Sequence, residues 1–210
     1  TLSYNTAVGY QAGYSITTGQ SNVFVGATAG DALTDSDGNV AVGYAAIGGD
    51  TLGARAVAVG YGTLASQNFT TATSNYNTAV GYAAGNQLTT GIYNTLVGGL
   101  AGNQITTGQN NVLMGVATGD ALTSGNQNTA IGRNALTTDA EGIDSTALGY
   151  ATLANQNFTT ATNAYNTAVG SEAGNDITTG VRNTLLGAVA GDALTDTDYN
   201  VAVGMNALTT

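Results

Sequence analysis

The 210-residue chain contains no cysteine, proline, histidine, tryptophan or lysine, and only 8% of it is charged. Each absence removes a class of function. Without Cys and His the usual donors for zinc, haem and iron–sulfur centres are missing. A Ser-His-Asp triad or a catalytic thiol is excluded on the same ground, and no disulfide holds the fold together. The only cations are three arginines, set against 13 acids for a net charge of -10. So few cations cannot neutralise a run of phosphates, so nucleic acid and anionic membrane surfaces are not expected partners. No run of about 18 apolar residues is present to span a bilayer, so direct membrane insertion is not expected. No basic segment followed by an apolar one opens the chain, and an export signal is expected to be absent or already removed.

Glycine, with 31 residues, and hydrophobic residues, at 42%, are what the chain has in quantity. Such an apolar content calls for a buried core despite the net charge. The dominant signal is a repeat. Asn5-Thr6-Ala7-Val8-Gly9 recurs as Asn22-Val23-Phe24-Val25-Gly26, as Asn39-Val40-Ala41-Val42-Gly43, and onward. Its closing glycines are Gly9, Gly26, Gly43, Gly60, Gly81, Gly98, Gly115, Gly132, Gly149, Gly170, Gly187 and Gly204, spaced by 17 residues except for two steps of 21. Both long steps belong to an 89-residue super-repeat, and their links match closely: Gln67-Asn68-Phe69-Thr70-Thr71-Ala72-Thr73 against Gln156-Asn157-Phe158-Thr159-Thr160-Ala161-Thr162. That match suggests a recent duplication. Residues 1–210 read as one continuous array with coil-extending insertions near 67–76 and 156–165. Neither end shows the atypical capping unit of a solenoid, so the array is expected to be a segment of a longer chain.

A 17-residue unit is too short for a helix pair, and two fixed glycines per unit weaken helices. Short Val/Thr/Ala runs between turn residues read as strands. The predicted fold is all-β: a β-solenoid, or parallel β-roll, of about twelve 17-residue coils within the 89-residue super-repeat. At about 4.8 Å per coil the rod spans roughly 55–60 Å. One place before each closing glycine stands a large aliphatic residue, from Val8 to Val203; three places after it stands Ala or Thr, from Ala12 to Ala207. Seven places after it come Ile16, Leu33, Leu88, Ile105, Leu122, Ile177 and Leu194, interrupted by Asp50, Gln67, Asp139 and Gln156. These columns are expected to pack as ladders. A structural ladder of turn asparagines is expected at Asn5, Asn22, Asn39, Asn77, Asn94, Asn111, Asn128, Asn166, Asn183 and Asn200, with Arg55 and Asp144 or Ser145 replacing it in the odd coils. If Thr6 and Val8 face inward, the column of Ala7, Phe24, Leu96, Leu113 and Leu185 faces outward and is uniformly apolar. An apolar strip on a rod marks an interface. Rods are therefore expected to pack side by side, with this strip or the Val8 column at the seam.

The sequence Asn-Thr-Ala-Val-Gly-Tyr-x-Ala-Gly, followed by Leu-Thr-Thr-Gly and the next Asn-Thr-x-x-Gly, resembles the β-roll repeats of trimeric autotransporter adhesin heads (YadA-like). It is equally similar to repeats of bacteriophage tail fibres. The resemblance covers essentially the whole chain. It implies a left-handed parallel β-roll, a side-by-side trimer, and a fibre on a cell or virion surface outside the cell. Adhesin-head units are typically shorter than 17 residues, and no basic neck, coiled-coil stalk or membrane anchor is read here.

Few residues suggest chemistry. Asp35, Asp37 and Asn39 form a weak calcium-loop candidate, with alternating oxygen donors around Gly38 but no twelfth-position glutamate. The alternative is an acidic turn that keeps the rod soluble. Asp139, Glu141 and Asp144 lie close together, but the earlier super-repeat matches only the first, with Asp50, and has Leu52 and Arg55 in place of Glu141 and Asp144, so a glycosidase pair is not expected. No catalytic residue and no cofactor are expected. Tyrosines after the closing glycine, such as Tyr10, Tyr44, Tyr61, Tyr82 and Tyr150, either stack on sugars or cover grooves between chains. The threonine rank Thr17, Thr34, Thr51, Thr89, Thr106, Thr123, Thr178 and Thr195 raises an ice-binding alternative, although a regular second rank is missing. The functional expectation is a structural or adhesive fibre segment whose partners are copies of itself and a cell-surface or glycan receptor. The runner-up is a self-polymerising extracellular filament subunit.

Overall fold

A computed structural model describes residues 4–209. Thr1, Leu2, Ser3 and Thr210, the outermost members of the array, lie outside the described residues. The fold is the all-β solenoid of twelve coils that the repeat predicts, and no helix is present among the described residues. Each coil contributes one three-residue strand, from Thr6–Val8 to Val201–Val203. These twelve strands form one parallel sheet in chain order, perpendicular to the rod axis. Four two-residue strands make two small parallel pairs, Gly53–Ala54 with Thr73–Ser74 and Gly142–Ile143 with Thr162–Asn163.

Register is constant. Thr6 faces Val23, Ala7 faces Phe24 and Val8 faces Val25. Across the long step Val57 faces Thr78 and Val59 faces Val80, so the extra four residues never reach the sheet. They leave as a loop instead. Leu52 donates its N–H to the carbonyl of Phe69 and accepts from the N–H of Thr73, which throws the exposed residues Thr70, Thr71 and Ala72 outward. Glu141 does the same between Phe158 and Thr162.

The closing glycine ends each strand for two reasons. Its φ lies between 120° and 140°, outside what an L side chain readily adopts. A Cβ there would also sit about 2.1–2.6 Å from the carbonyl of the next closing glycine, as at Gly132 and Gly9. The following turn places the second and fourth residues after the glycine in the left-handed region in every coil. Seven coils use glycine at the fourth place; Ile47, Leu64, Leu136, Leu153 and Leu208 occupy it in the others, with φ of 50–55°.

The core runs down the middle of the coils, and the structure reverses the expected facing of the strands. The middle residue of each strand points inward: Phe24, Leu96, Leu113 and Leu185 are essentially fully buried, and so are Ala41, Ala58 and Ala130. Ala7, in the first strand, is exposed. Alternation fixes only relative facing. The absolute sense is set by the asparagine two places earlier, whose side chain is held inside. The inward column varies from Ala to Phe because the turn compensates. Where the strand supplies Phe24, Leu96, Leu113 or Leu185, the turn supplies Gly30, Gly102, Gly119 or Gly191. Where the strand supplies Ala41, Ala58, Ala130 or Ala147, the turn supplies Ile47, Leu64, Leu136 or Leu153, all buried. Around Gly85 and Gly174, where both places are small, neighbours fill the space: Leu64 and Leu96 reach one, Leu153 and Leu185 the other. The columns of Ala29 and Leu33 are buried as expected.

Candidate interaction face and internal polar ladder

The Asn column is an internal staple. Each Asn Oδ1 accepts the backbone N–H of the next member, as from Asn22 to Asn5 at 2.9 Å and from Asn111 to Asn94 at 3.1 Å. From Asn5 to Asn183 each Nδ2 donates across the coil to a carbonyl 14 residues on, such as Gly91 for Asn77 at 2.8 Å. Buried turn N–H and C=O groups are thereby satisfied. The residues that replace Asn are Ala56 and Ser145, whose N–H groups donate to Asn39 and Asn128 at 2.9 Å. Arg55 and Asp144 stand one place earlier, in the left-handed turn with φ of 63° and 61°, so the expectation is corrected for these two, while Ser145, the alternative to Asp144, does occupy the ladder. Ala56 has no acceptor for the following coil, and Asn75 supplies it, receiving the N–H of Asn77 at 2.9 Å.

Asp50, Gln67, Asp139 and Gln156, which interrupt the aliphatic column, are fully buried. They form two directional chains. Asn77 Nδ2 donates to Gln67 Oε1 at 3.0 Å, and Gln67 Nε2 donates to Asp50 Oδ2 at 2.6 Å. Asp50 Oδ1 also accepts from the N–H groups of Phe69 and Gly53. The second chain repeats this through Asn166, Gln156 and Asp139, with Phe158 and Gly142 as backbone donors. Burial pushes the Asp139 carboxyl above its ordinary value, and the hydrogen bonds from Gln156, Phe158 and Gly142 oppose that rise. Asp139 is thus a core residue, separated from the partly exposed Glu141 and Asp144.

The calcium candidate is corrected in part. Asn39 is buried, its Oδ1 engaged by Ala56 and its Nδ2 by Gly53 at 3.0 Å, so it is not free to ligate with Asp35 and Asp37. Asp37 Oδ1 accepts the N–H of Gln20 at 2.7 Å. Asp35 and Asp37 line a hollow of about 180 Å³ with Arg55 and the insertion residues Ala72, Thr73 and Ser74. Among the described residues no group of three or more acids is gathered as a metal site would need. The threonine rank is engaged as well: Thr34, Thr89, Thr106 and Thr178 donate their hydroxyls to carbonyls of the next coil at 2.9–3.2 Å.

What faces outward from the sheet is the first and third residue of each strand. The third-residue column is aliphatic throughout; Val80, Met114, Ile131 and Leu186 are 37–40% exposed. The first-residue column is Thr or Val throughout and half-buried over most of its length, as at Thr78, Thr95 and Val112. Neither column holds a charge over twelve coils. Tyrosines border the strands on both sides. Tyr44, Tyr61 and Tyr82 stack in the column after the closing glycine, with ring centroids 5.1 and 5.6 Å apart. Tyr76 and Tyr93 stack in the column before the asparagine. All three arginines stand in these bordering columns: Arg55 over Tyr76, Arg182 between Tyr165 and Tyr199, and Arg133 after Gly132. Of the 13 acids only Asp144 shares them. The sequence reading missed this segregation, although the spacing from the closing glycine carries it.

The chain matches no family model, no curated protein and no solved structure. Among the described residues no helix is long and apolar enough to cross a membrane.

Proposed function

We propose that the chain is a segment of a structural, adhesive fibre outside the cell, and that it assembles side by side with copies of itself, as a trimer. The observation that carries this reading is the outward face of the sheet: two uncharged columns, Thr/Val and aliphatic, running the length of twelve coils. With its tyrosine borders the face measures roughly 55 Å by 20 Å. Divided between two neighbours in a trimer, that area of roughly 1,100 Å² gives about 550 Å² from each side of a contact, so each contact buries roughly 1,100 Å² in total, just above the roughly 1,000 Å² a specific interface needs. Charge supports the same mating surface. The acids lie almost wholly elsewhere and repel other copies from approaching there, while the face and its borders carry three arginines and one acid. The exposed loops at 70–72 and 159–161 recur every 89 residues and are the natural contacts for a surface or glycan receptor, many weak copies acting by avidity.

Light scattering on a size-exclusion column tests this. The expected mass is three times the 20.7 kDa of one chain. A series of larger species growing with concentration identifies the self-polymerising filament. A monomer overturns the side-by-side reading. The flat outer face, with threonine at Thr129, Thr146, Thr167 and Thr184 on successive strands, is then the surface to assay for ice binding by thermal hysteresis.

A further inference from the structure

All eleven tyrosines are exposed on the single rod, from 46% at Tyr150 to 86% at Tyr4, and those beside the strands rim the face proposed for assembly. Constant register places residues of one column on neighbouring strands about 4.8 Å apart, close to the stacking distance of two rings. Tyrosines on consecutive coils are therefore pressed face to face. Tyr44 and Tyr61 lie 5.1 Å apart at an interplanar angle of 19°, Tyr61 and Tyr82 5.6 Å apart at 16°, and Tyr76 and Tyr93 5.8 Å apart at 13°. Such rings offer edges rather than faces to solvent, and Tyr61 has a neighbour on each side, which makes this row a poor platform for stacking sugars. It is a good arrangement for joining phenols.

We propose that these three pairs are sites of intrachain dityrosine formation, giving covalent staples between adjacent coils, with a haem peroxidase and hydrogen peroxide as the class of oxidant. Each phenol of a pair loses one electron and one proton. The two phenoxyl radicals join through one ortho carbon of each ring. The hydrogen on each of those carbons then moves to oxygen and restores the phenol. The two electrons and two protons released reduce one peroxide to two waters. Holding the rings in contact makes the coupling intramolecular and raises it over encounters between separate chains. The fold supplies its own contrast. Tyr165 and Tyr199 share a column, but Arg182 intervenes, at 5.8 and 5.3 Å from their rings, and its Nη1 donates to Tyr199 Oη at 2.9 Å. Two coil spacings, about 10 Å, keep that pair apart.

The test is to oxidise the protein with peroxidase and hydrogen peroxide, then record dityrosine fluorescence and map linked peptides by mass spectrometry. The expected linkages are 44–61, 61–82 and 76–93, in chains that still run at single-chain mass on a denaturing gel, with a yield unchanged by dilution. Tyr61→Phe removes two of the three. Arg182→Tyr adds linkages to Tyr165 and Tyr199, since that column already accepts tyrosine in the left-handed turn at Tyr76 and Tyr93. Linkages that follow exposure instead, dominated by Tyr4, Tyr10 and Tyr14, or that appear only between chains, would overturn the proposal, as would an Arg182→Tyr protein with no new linkage.

Discussion

Asp139 shows how a single side chain sets the direction of a buried network. Its two oxygens accept from Gly142, Phe158 and Gln156, and Gln156 in turn accepts from Asn166. Asp139→Asn turns an acceptor into a donor facing Gln156 Nε2, and leaving buried donors unmatched costs about 1–3 kcal/mol. Adding Gln156→Glu reverses the polarity: the amide at 139 then donates to the carboxylate at 156, which still accepts from Asn166. Thermal melts should show the single variant destabilised and the double variant largely restored. The carboxyl also carries a pH signature. Because burial raises its pKa in the folded chain, the folded state binds that proton more tightly than the unfolded one. The contribution to stability is therefore full below the ordinary value of 3.8 and is lost as pH rises through the folded value. Relative to Asp139→Asn, the wild type should lose stability as pH is raised from 3 towards neutrality, which a pH series of denaturant midpoints reads directly.

Within one coil, strand and turn share a fixed volume. The nearest atoms a Cβ added at Gly119 would meet all belong to the side chain of Leu113, the first at 2.8 Å. Leu113→Ala should cost about 2–5 kcal/mol through the cavity it opens. Leu113→Ala with Gly119→Leu should recover more than half of that loss, because it converts this coil to the pattern of Ala130 with Leu136 next door. Urea denaturation of the two proteins checks it. A double variant no more stable than the single would refute the shared-volume rule. Coil number, register, the Asn ladder and the small turn column were all legible in the sequence, because each recurs at a fixed distance from the closing glycine, the ladder changing residue only at Ala56 and Ser145. The facing of the strands was not. The outer column from Val8 to Val203 is uniform and looks like a core, while the true inner column from Ala7 to Ala202 is irregular taken alone. Its regularity appears only when Phe24 is paired with Gly30, or Ala58 with Leu64. The buried Asp50 and Asp139 were equally hidden, since nothing local to a carboxylate announces that Gln67 or Gln156 stands one coil further along.

For the rod as a whole, neighbouring residues separate folding from assembly. Met114 points outward and Leu113 inward. Met114→Lys should leave the circular dichroism of the sheet intact while lowering the native mass to that of one chain. Leu113→Lys should instead unfold the coil, since it buries an unpaired charge. A lysine at 114 that leaves the mass unchanged would remove the outer face from the assembly. The hydrogen bonds between coils all run along the axis, each coil bonded to the one before and the one after. Under tension applied at the two ends these contacts are loaded in series, so the outermost coil peels while the others hold. Each event releases about 60 Å of slack for a 17-residue coil and about 70 Å for a 21-residue one. A force trace should show small, nearly equal teeth with two longer ones. A shaft of this kind dissipates a sudden pull in instalments and keeps its remaining length straight.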